Sequence, residues 1–326
     1  MADRVSGKSP HCLHRSMRQL FEARDYITGE PFQIKQCQEC GLARTFPELD
    51  PEALLYYYPP AYYGSCGSNR FPKLVEWLQN GIYGSRVRRL EAFVEGKRVL
   101  DVGCGRGELL RVFKNRGWEV EGTELSEASA QYARKIFQLP VKVGELTELA
   151  MPPEHYDAIV LWHVLEHVTY PDALIQEIHR LLKPNGVVLI SVPNFSSPEA
   201  KFTGASWFHL DIPRHQFHFG SHTLLKWLQA NHFSKLETSY FTPEYDLFSF
   251  VQSIQSKMGL QQNLLYNLLR SPGARFSTCK KAAKLESALA LLSAPVLGML
   301  ALPATTFLSL MRRGSTVTVI ARRQCK

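Results

Sequence analysis

The sequence lacks the marks of several protein classes. Its 326 residues contain no internal repeat or low-complexity tract, and 45% hydrophobic with 21% charged residues excludes a disordered or fibrous chain. Seven cysteines spread over this length do not form the dense framework of a small secreted domain. No apolar signal core follows Met1. We therefore expect a globular protein of the reducing cytoplasm.

The excess of positive charge is also small. Lys and Arg outnumber Asp and Glu by 38 to 30, and the resulting net charge of +8 is too modest to indicate a nucleic-acid partner. A zinc knuckle that binds or modifies nucleic acid is the least favoured function, because no basic stripe surrounds the cysteine pair Cys37 and Cys40.

From Arg98 onward, short apolar runs alternate with amphipathic segments. This alternation predicts an α/β fold with a doubly wound, Rossmann-like parallel sheet. The predicted strands are Arg98–Val102, Glu119–Gly122, Val141–Val143, Ala158–Leu161, Val187–Val192, Lys235–Phe241 and Ser315–Ala321. The predicted parts of the chain are a zinc-ribbon-like module at 1–60, a helical linker at 61–95, a core at 96–242, an apolar helical insertion at 243–312, and a closing strand with a basic tail at 313–326.

A glycine-rich turn follows the first strand. Gly103, Gly105 and Gly107 alternate there, and only glycine lets a backbone turn this tightly and approach a ligand this closely. A dinucleotide fingerprint would have its third glycine one residue later. Asp101, two residues ahead, favours a sulfonium or ammonium over phosphates. Glu124, which ends the second strand, could accept both hydroxyls of a ribose.

These residues resemble the first motif of the class I S-adenosylmethionine-dependent methyltransferases. The resemblance covers 95–242 and the last strand, and it implies a seven-stranded sheet with an antiparallel last strand. It also implies that the glycines line the methionine portion, that Glu124 binds the ribose and that Glu145 with Leu146 borders the adenine. The predicted cofactor contacts are Asp101, Gly103, Cys104, Gly105, Gly107, Glu124, Leu125, Glu145, Leu146 and Trp162.

The fourth strand ends in Leu161–Val168, which resembles the L-E-H-V motif of ubiquinone-biosynthesis O-methyltransferases. Some of these hold a divalent ion with a Glu-x-x-Glu-His set, which falls here on His163, Glu166 and His167. Because His163 replaces the first carboxylate of this set, the sequence does not decide whether a catalytic metal is bound. Methyl displacement requires an aligned nucleophile and a proton acceptor, a task that suits histidine. We predict catalytic roles for His163 and His167, with a structural role as the alternative for His167.

A second histidine cluster follows the fifth strand, in the aromatic segment 206–219. We predict a substrate lid in which His215 and His218 are catalytic, His209 contacts the substrate and Arg214 meets an acidic acceptor. The alternative is a loop that its aromatics bury, with histidines that cap backbone groups. The element P-R-H-x-x-H-F within it is similar to one in a bacterial subgroup of these methyltransferases.

The same subgroup resembles this chain at Cys37–Gly41, a C-x-x-C-G element that precedes a tyrosine-rich stretch. Two thiolates at this spacing are half of a zinc knuckle. Upstream residues could complete it, with His11 as an alternative to Cys12, or the knuckle could fold on aromatic packing without zinc. Tyr62 and Tyr63 could fold over the cofactor and contact the substrate, or serve in packing alone. The predicted zinc ligands are Cys37, Cys40, Cys12 and His14.

One long apolar run, Ser287 to Met311, has 25 residues without a charge, enough for one membrane crossing. The seventh strand must nevertheless return to the sheet, and Pro295 and Pro303 are expected to cut the run into short pieces. Two interpretations remain: a buried helical hairpin, or one that lies in the interface at the inner face of a membrane. The second is favoured by the cationic flanks Arg270, Arg275, Lys280, Lys281, Lys284, Arg312, Arg313, Arg322, Arg323 and Lys326.

The function that these patterns favour is methyl transfer from S-adenosylmethionine to a small-molecule, lipid-linked or glycan-linked acceptor. We expect transfer to oxygen by direct displacement, with histidine-assisted deprotonation. The alternatives are a sugar or sugar-nucleotide methyltransferase that acts on carbon or nitrogen, and a cofactor-binding scaffold at a membrane without turnover.

Overall fold

The protein is described by a computed structural model that covers residues 16–59, 73–270 and 284–324, with side chains from residue 81 in the second range. A small antiparallel sheet comes first, in which β1 (Met17–Arg24) pairs with β2 (Pro31–Cys37) and β2 pairs with β3 (Ala43–Phe46). The later strands are β4 (Arg98–Val102), β5 (Glu119–Glu124), β6 (Val141–Val143), β7 (Tyr156–Trp162), β8 (Leu182–Pro193), β9 (Phe217–His218), β10 (Phe233–Ser239) and β11 (Thr316–Arg323).

Helices connect these strands and cover both faces of the larger sheet. They are α1 (Pro51–Leu55), α2 (Lys73–Glu91), α3 (Glu108–Asn115), α4 (Glu127–Phe137), α5 (Pro171–Leu181), α6 (Pro198–Thr203), α7 (Ser221–Ala230), α8 (Pro243–Lys257), α9 (Leu264–Leu269) and α10 (Lys284–Leu310).

The larger sheet has seven strands in the order β10-β11-β8-β7-β4-β5-β6. The strands from β8 to β6 are mutually parallel, and β11 runs antiparallel to both of its neighbours. The predicted Rossmann-like sheet and its antiparallel last strand are therefore confirmed. The second strand ends at Glu124 and the fourth at Trp162, two residues and one residue beyond the apolar runs Glu119–Gly122 and Ala158–Leu161.

The central strands are buried on both faces, which explains their nearly continuous apolar runs. On β4, Leu100 packs into one core layer together with Ile159 of β7, while Val99 packs into the layer on the other side together with Val160. Neighbouring residues on a strand point to opposite faces, so each short run supplies both layers.

The small sheet is shared between the N-terminal module and the lid. β9 pairs antiparallel with β3, which places His218 opposite Ala43 and Phe217 opposite Arg44. The segment 206–219 therefore adds a strand to a sheet that begins at Met17. A two-residue strand has no period to recognise, and its partner lies far away in the sequence.

The insertion consists of α8, α9 and α10. The expectation that Pro295 and Pro303 divide the apolar run is wrong, because α10 continues through both. Each proline removes one backbone donor, and the carbonyls that lose it belong to Leu291 and Met299, which are 49% and 70% exposed. Among the described residues, α10 is the one helix long and apolar enough to cross a membrane.

Candidate active site

Four parallel strands bring their carboxyl ends to one edge of the large sheet. β4 ends at Val102, directly before the glycine turn. Its neighbours β5 and β7 end at Glu124 and Trp162, and β6, beyond β5, ends at Val143. Open α/β sheets bind ligands at this edge. The parallel topology thus gathers the predicted cofactor residues in one place, although they come from separate strands.

The glycine turn adopts a conformation that other residues avoid. Gly103, Gly105 and Gly107 have φ values of +64°, +56° and +82°. A Cβ on Gly103 would lie 2.7 Å from Val164 and one on Gly107 would lie 2.6 Å from Leu139, whereas a Cβ on Gly105 would meet no atom within 4 Å. Gly103 and Gly107 therefore pack against protein, and Gly105 borders open space that a ligand can fill.

The Glu124 carboxylate ties this turn to the end of β5. Its Oε2 accepts a hydrogen bond from the Gly105 N–H at 2.8 Å, and its Oε1 accepts one from the Ser126 N–H at 2.8 Å. A carboxylate oxygen can accept more than one hydrogen bond, which is the property that a ribose with two hydroxyls would use. Leu125, the next residue, is 62% exposed and provides an apolar surface at the rim.

Acidic side chains are concentrated beneath the turn. Asp101 is 2% exposed, and burial together with Glu124 and Glu108 raises its pKa to about 8. Burial and the same acidic neighbours also raise the pKa of Cys104. A nearby cation would favour the ionised forms of these groups. The turn therefore suits the sulfonium and ammonium of S-adenosylmethionine better than a phosphate.

The remaining predicted cofactor contacts differ in accessibility. Leu146 is 3% exposed and packs into the core. Glu145 is partly buried, and burial followed by Glu148 raises its pKa. Trp162 ends β7 with the Arg86 guanidinium 3.6 Å from a ring centroid. Glu145 and Trp162 thus offer more surface to a ligand than Leu146 does.

His163 follows β7 with φ of +55°, a strained conformation for a residue other than glycine. Its Nδ1 lies 3.0 Å from Oε1 of the buried Glu166. Burial and the Arg86 guanidinium lower the pKa of His163 to about 3, and burial raises the pKa of Glu166 to about 7. His163 is therefore neutral at physiological pH. Its buried Nε2 has no hydrogen-bond partner within the described part of the chain.

Two aromatic side chains flank His163. The His209 ring lies 6.2 Å from the His163 ring with an interplanar angle of 10°, and the Tyr245 ring of α8 lies 4.3 Å away. The Nε2 of His209 is also buried without a partner among residues 16–59, 73–270 and 284–324. Unpaired buried polar atoms are rare in folded proteins, so two in one aromatic cluster indicate a site for a polar group of a ligand.

A second group of side chains converges beside His163. One donor atom each from Glu166, His167 and His215 lies within 4.8 Å of the others. The Nδ1 of His167 is 3.0 Å from the Tyr58 hydroxyl, and the Nδ1 of His215 is 2.8 Å from the His209 carbonyl. Such bonds orient metal-binding imidazoles, and two imidazoles with a carboxylate suit a divalent transition metal. His215 takes the place in this group that the sequence analysis gave to His163.

Two predicted site residues connect the lid to the small sheet. In β9, the Nε2 of His218 lies 2.9 Å from the Thr45 hydroxyl of β3. Arg214 is fully buried and donates to Asp25 at 2.6 Å and to Asp211 at 2.8 Å, while its third nitrogen donates to a backbone carbonyl. These contacts hold the lid against the small sheet. The catalytic role of His218 and the acceptor contact of Arg214 stay predictions.

The cysteine pair lies on the turn between β2 and β3. Cys37 is 1% exposed, and its carbonyl accepts a hydrogen bond from the N–H of Gly41, whose φ is +79°. Cys40 is partly buried against the core. Zinc ligation stays a prediction. Four further predicted site residues lie outside the described residues: Cys12, His14, Tyr62 and Tyr63.

No sequence motif singles out Tyr58, Arg86 or Tyr245. Tyr58 belongs to the tyrosine-rich stretch, which offered a signal without identifying one residue. Arg86 and Tyr245 lie on helices outside the predicted core, where no motif marks them. Their contacts with the site arise from packing between distant segments.

The fold and the glycine turn define a class of protein. A family model described as a methyltransferase domain matches residues 75–238, half of the chain's length. The chain therefore belongs to this methyltransferase family, and it is a class I S-adenosylmethionine-dependent methyltransferase. The predictions of its class and of its enzymatic nature are confirmed.

Among the named relatives of this chain are ubiquinone biosynthesis O-methyltransferases. A ubiquinone biosynthesis O-methyltransferase of Alkalilimnicola ehrlichii is 39% identical over 31% of this chain and 43% of the relative. The Pseudomonas aeruginosa protein of that name is 33% identical over 43% of this chain and 62% of the relative. The chain thus spans less than two thirds of either relative. A methyltransferase structure from Archaeoglobus fulgidus superposes with a TM-score of 0.46 at 19% identity, over 75% of this chain and 94% of the other.

Proposed function

We propose that the protein transfers the methyl group of S-adenosylmethionine to an oxygen of a small-molecule acceptor, with His163 as the proton acceptor. The observation that carries this proposal is the partly buried, neutral His163 at the carboxyl end of β7, oriented through Nδ1 and unpartnered at Nε2 within the described residues. The relatives' common name supports an oxygen acceptor.

S-adenosylmethionine supplies an electrophilic methyl group on a sulfonium. The glycine turn and Glu124 hold the donor, because direct displacement depends on the alignment of donor and nucleophile. An ionised Glu166 accepts the Nδ1–H of His163, which leaves the Nε2 lone pair available. As the acceptor oxygen forms its bond to the methyl carbon, the bond from that carbon to sulfur would break and its electron pair would stay on sulfur, which leaves as the neutral thioether of S-adenosylhomocysteine. Nε2 of His163 takes the hydroxyl proton, and the ionised carboxylate of Glu166 stabilises the imidazolium.

The protonation of Glu166 determines when this arrangement exists. Its pKa is raised to about 7 by burial, so below that pH a protonated Glu166 donates to Nδ1 and the ring proton moves to Nε2. Nε2 then has no lone pair to offer. We therefore expect the methyl-transfer rate to rise with pH through about 7.

Aromatic side chains extend from His209 and support an acceptor with a ring or a prenyl chain. Trp207 and Phe208 lie 5.5 and 5.2 Å from the His209 ring, and Phe208 in turn lies 5.2 Å from Phe248 and 5.8 Å from Tyr266. Such rings recognise apolar ligands by area and shape, while a few polar groups orient them.

If a divalent cation takes part, Glu166, His167 and His215 would hold it. The Oε2 of Glu166 has no hydrogen-bond partner in the part of the chain that the structure describes, and it fits this role while Oε1 stays bonded to His163. Such a cation would polarise the acceptor hydroxyl and favour its deprotonation. Calorimetric titration of the purified protein with Zn²⁺ and Mn²⁺, compared with His215→Ala, tests whether this group binds metal.

Transfer of a labelled methyl group from S-adenosylmethionine into a panel of phenols, prenylated phenols and sugar nucleotides tests the proposed reaction. We expect an O-methylated phenolic product from the wild type, and roughly 10²- to 10⁴-fold slower formation of it by His163→Asn. Labelling of a sugar nucleotide at carbon or nitrogen, with no labelled phenol, would contradict the proposal.

A further inference from the structure

The helix α10 presents its side chains in the reverse of the usual order. Small side chains face α8: Ala290 and Ala301 are fully buried and Thr305 is 4% exposed. Large apolar side chains face outward at alternating spacings of three and four residues, and Leu292 and Met299 are 74% and 70% exposed. A helix on the surface of a soluble protein normally buries its large apolar residues.

The outward stripe runs along the whole helix. Leu285, Phe307 and Leu310 are 72%, 62% and 78% exposed, and 11% of the most apolar 18-residue window is buried. Contiguous apolar surface of this extent marks an interaction surface. The predicted interpretation as a buried hairpin does not describe α10, since one side alone is covered.

The fold prevents α10 from crossing a bilayer. β11 begins at Thr316, shortly after the helix ends, and lies between β10 and β8 in the large sheet. Near the other end, Gln255 of α8 donates hydrogen bonds to the Ala290 carbonyl at 2.7 Å and to the Ser293 hydroxyl at 2.9 Å. Both ends of the helix are therefore attached to the protein, and α10 can meet a membrane only along its side.

Charge distinguishes a lipid surface from an apolar partner. Lys284 at the start of α10, and Arg312 and Arg313 just after its end, are exposed. The acidic side chain at the start of the helix, Glu286, accepts a hydrogen bond from the Gln261 N–H and so faces the protein. An apolar stripe with cationic ends matches the hydrocarbon and headgroups of an anionic bilayer.

We propose that α10 lies flat in the interface of an anionic lipid bilayer, with the stripe from Leu285 to Leu310 in the hydrocarbon boundary. The helix rests on α8, whose Tyr245 contacts His163. Docking in this way places the acceptor side of the site next to the membrane, where a prenylated acceptor is concentrated. The proposal does not depend on methyl transfer, because its test measures membrane binding.

Flotation of the full-length protein with phosphatidylglycerol vesicles and with phosphatidylcholine vesicles tests this inference. We expect flotation with the anionic vesicles that decreases with salt. Leu292→Glu with Met299→Glu should weaken binding at least about tenfold, because two apolar anchors become charged. Arg312→Gln with Arg313→Gln should weaken it less and reduce its salt dependence.

Leu55→Glu with Ile136→Glu is the matched control. Both residues are exposed apolar side chains away from α10, at 68% and 55%, and the change in net charge is identical. The control should float like the wild type. Binding of S-adenosylmethionine by every variant shows that each is folded and separates this test from the proposed reaction. The inference is overturned if the wild type ignores anionic vesicles, if the α10 variant floats unchanged, or if sedimentation shows that α10 instead joins two copies of the chain.

Discussion

The cofactor side and the acceptor side of the site are built in different ways. The centre of the cofactor side comes from residues 101–124, in which Gly105 follows β4, Glu124 ends β5, and the two residues bond directly. The acceptor side combines Tyr58, His163, His209 and Tyr245 from four distant segments. Residues that are close in the sequence therefore form the donor site. The acceptor site depends instead on how the segment 206–219 and the insertion pack against the core.

The largest effect should come from His163→Asn. Asparagine tolerates the left-handed backbone of this position but cannot act as the base, so we expect methyl transfer to fall by roughly 10²- to 10⁴-fold. Affinity for S-adenosylmethionine should stay within a few-fold. His232→Asn is the matched control, since His232 is exposed and has φ of +63°. If His163→Asn and His232→Asn lose equal activity, the loss does not come from the acceptor side, and the distinction between the cofactor side and the acceptor side is not supported.

Arg214→Gln should cause the next largest effect, on stability. It breaks a buried ion pair with Asp25 and leaves that carboxylate uncompensated, which costs about 3–5 kcal/mol. Urea unfolding measures this loss, with the exposed Arg18→Gln as the control. If the free energy of unfolding is unchanged, Arg214 does not hold the lid to the small sheet.

These two variants also show where sequence reasoning reaches its limit. The seven strands and the glycine turn were predictable because strand runs and left-handed glycines have short-range signatures. The pairing of β9 with β3 was not, because a two-residue strand has no period. The sequence predicts an acceptor contact for Arg214, but nothing local in it reveals the ion pair with Asp25. The Tyr245 contact likewise depends on the position of α8.

Gly105→Val should affect the cofactor side alone. The side chain would fill the open space beside the turn, so affinity for S-adenosylmethionine should fall about a hundredfold or more. Gly29→Val controls for backbone strain, because Gly29 also has positive φ, +80°, and no atom within 4 Å of an added Cβ. If Gly29→Val weakens the cofactor equally, strain rather than lost space explains the effect.

The smallest effect is a change of pH dependence. In the wild type, the rate should rise as Glu166 loses its proton, through a pKa of about 7. Glu166→Gln removes that ionisation, so its residual rate should not rise through this pH. Steady-state rates between pH 5.5 and 8.5, roughly 1.5 units either side of this pKa, measure the change. If the rate of Glu166→Gln still rises with pH through about 7, as in the wild type, the ionisation belongs to another group.

Calorimetric titration of His163→Asn with S-adenosylmethionine, in parallel with the wild type, tests the separation of the two sides most directly. We predict saturable binding of one S-adenosylmethionine per chain with closely similar affinity in both proteins, although the variant transfers the methyl group roughly 10²- to 10⁴-fold more slowly. Absence of binding by the wild type, or a large loss of affinity in His163→Asn, would contradict it.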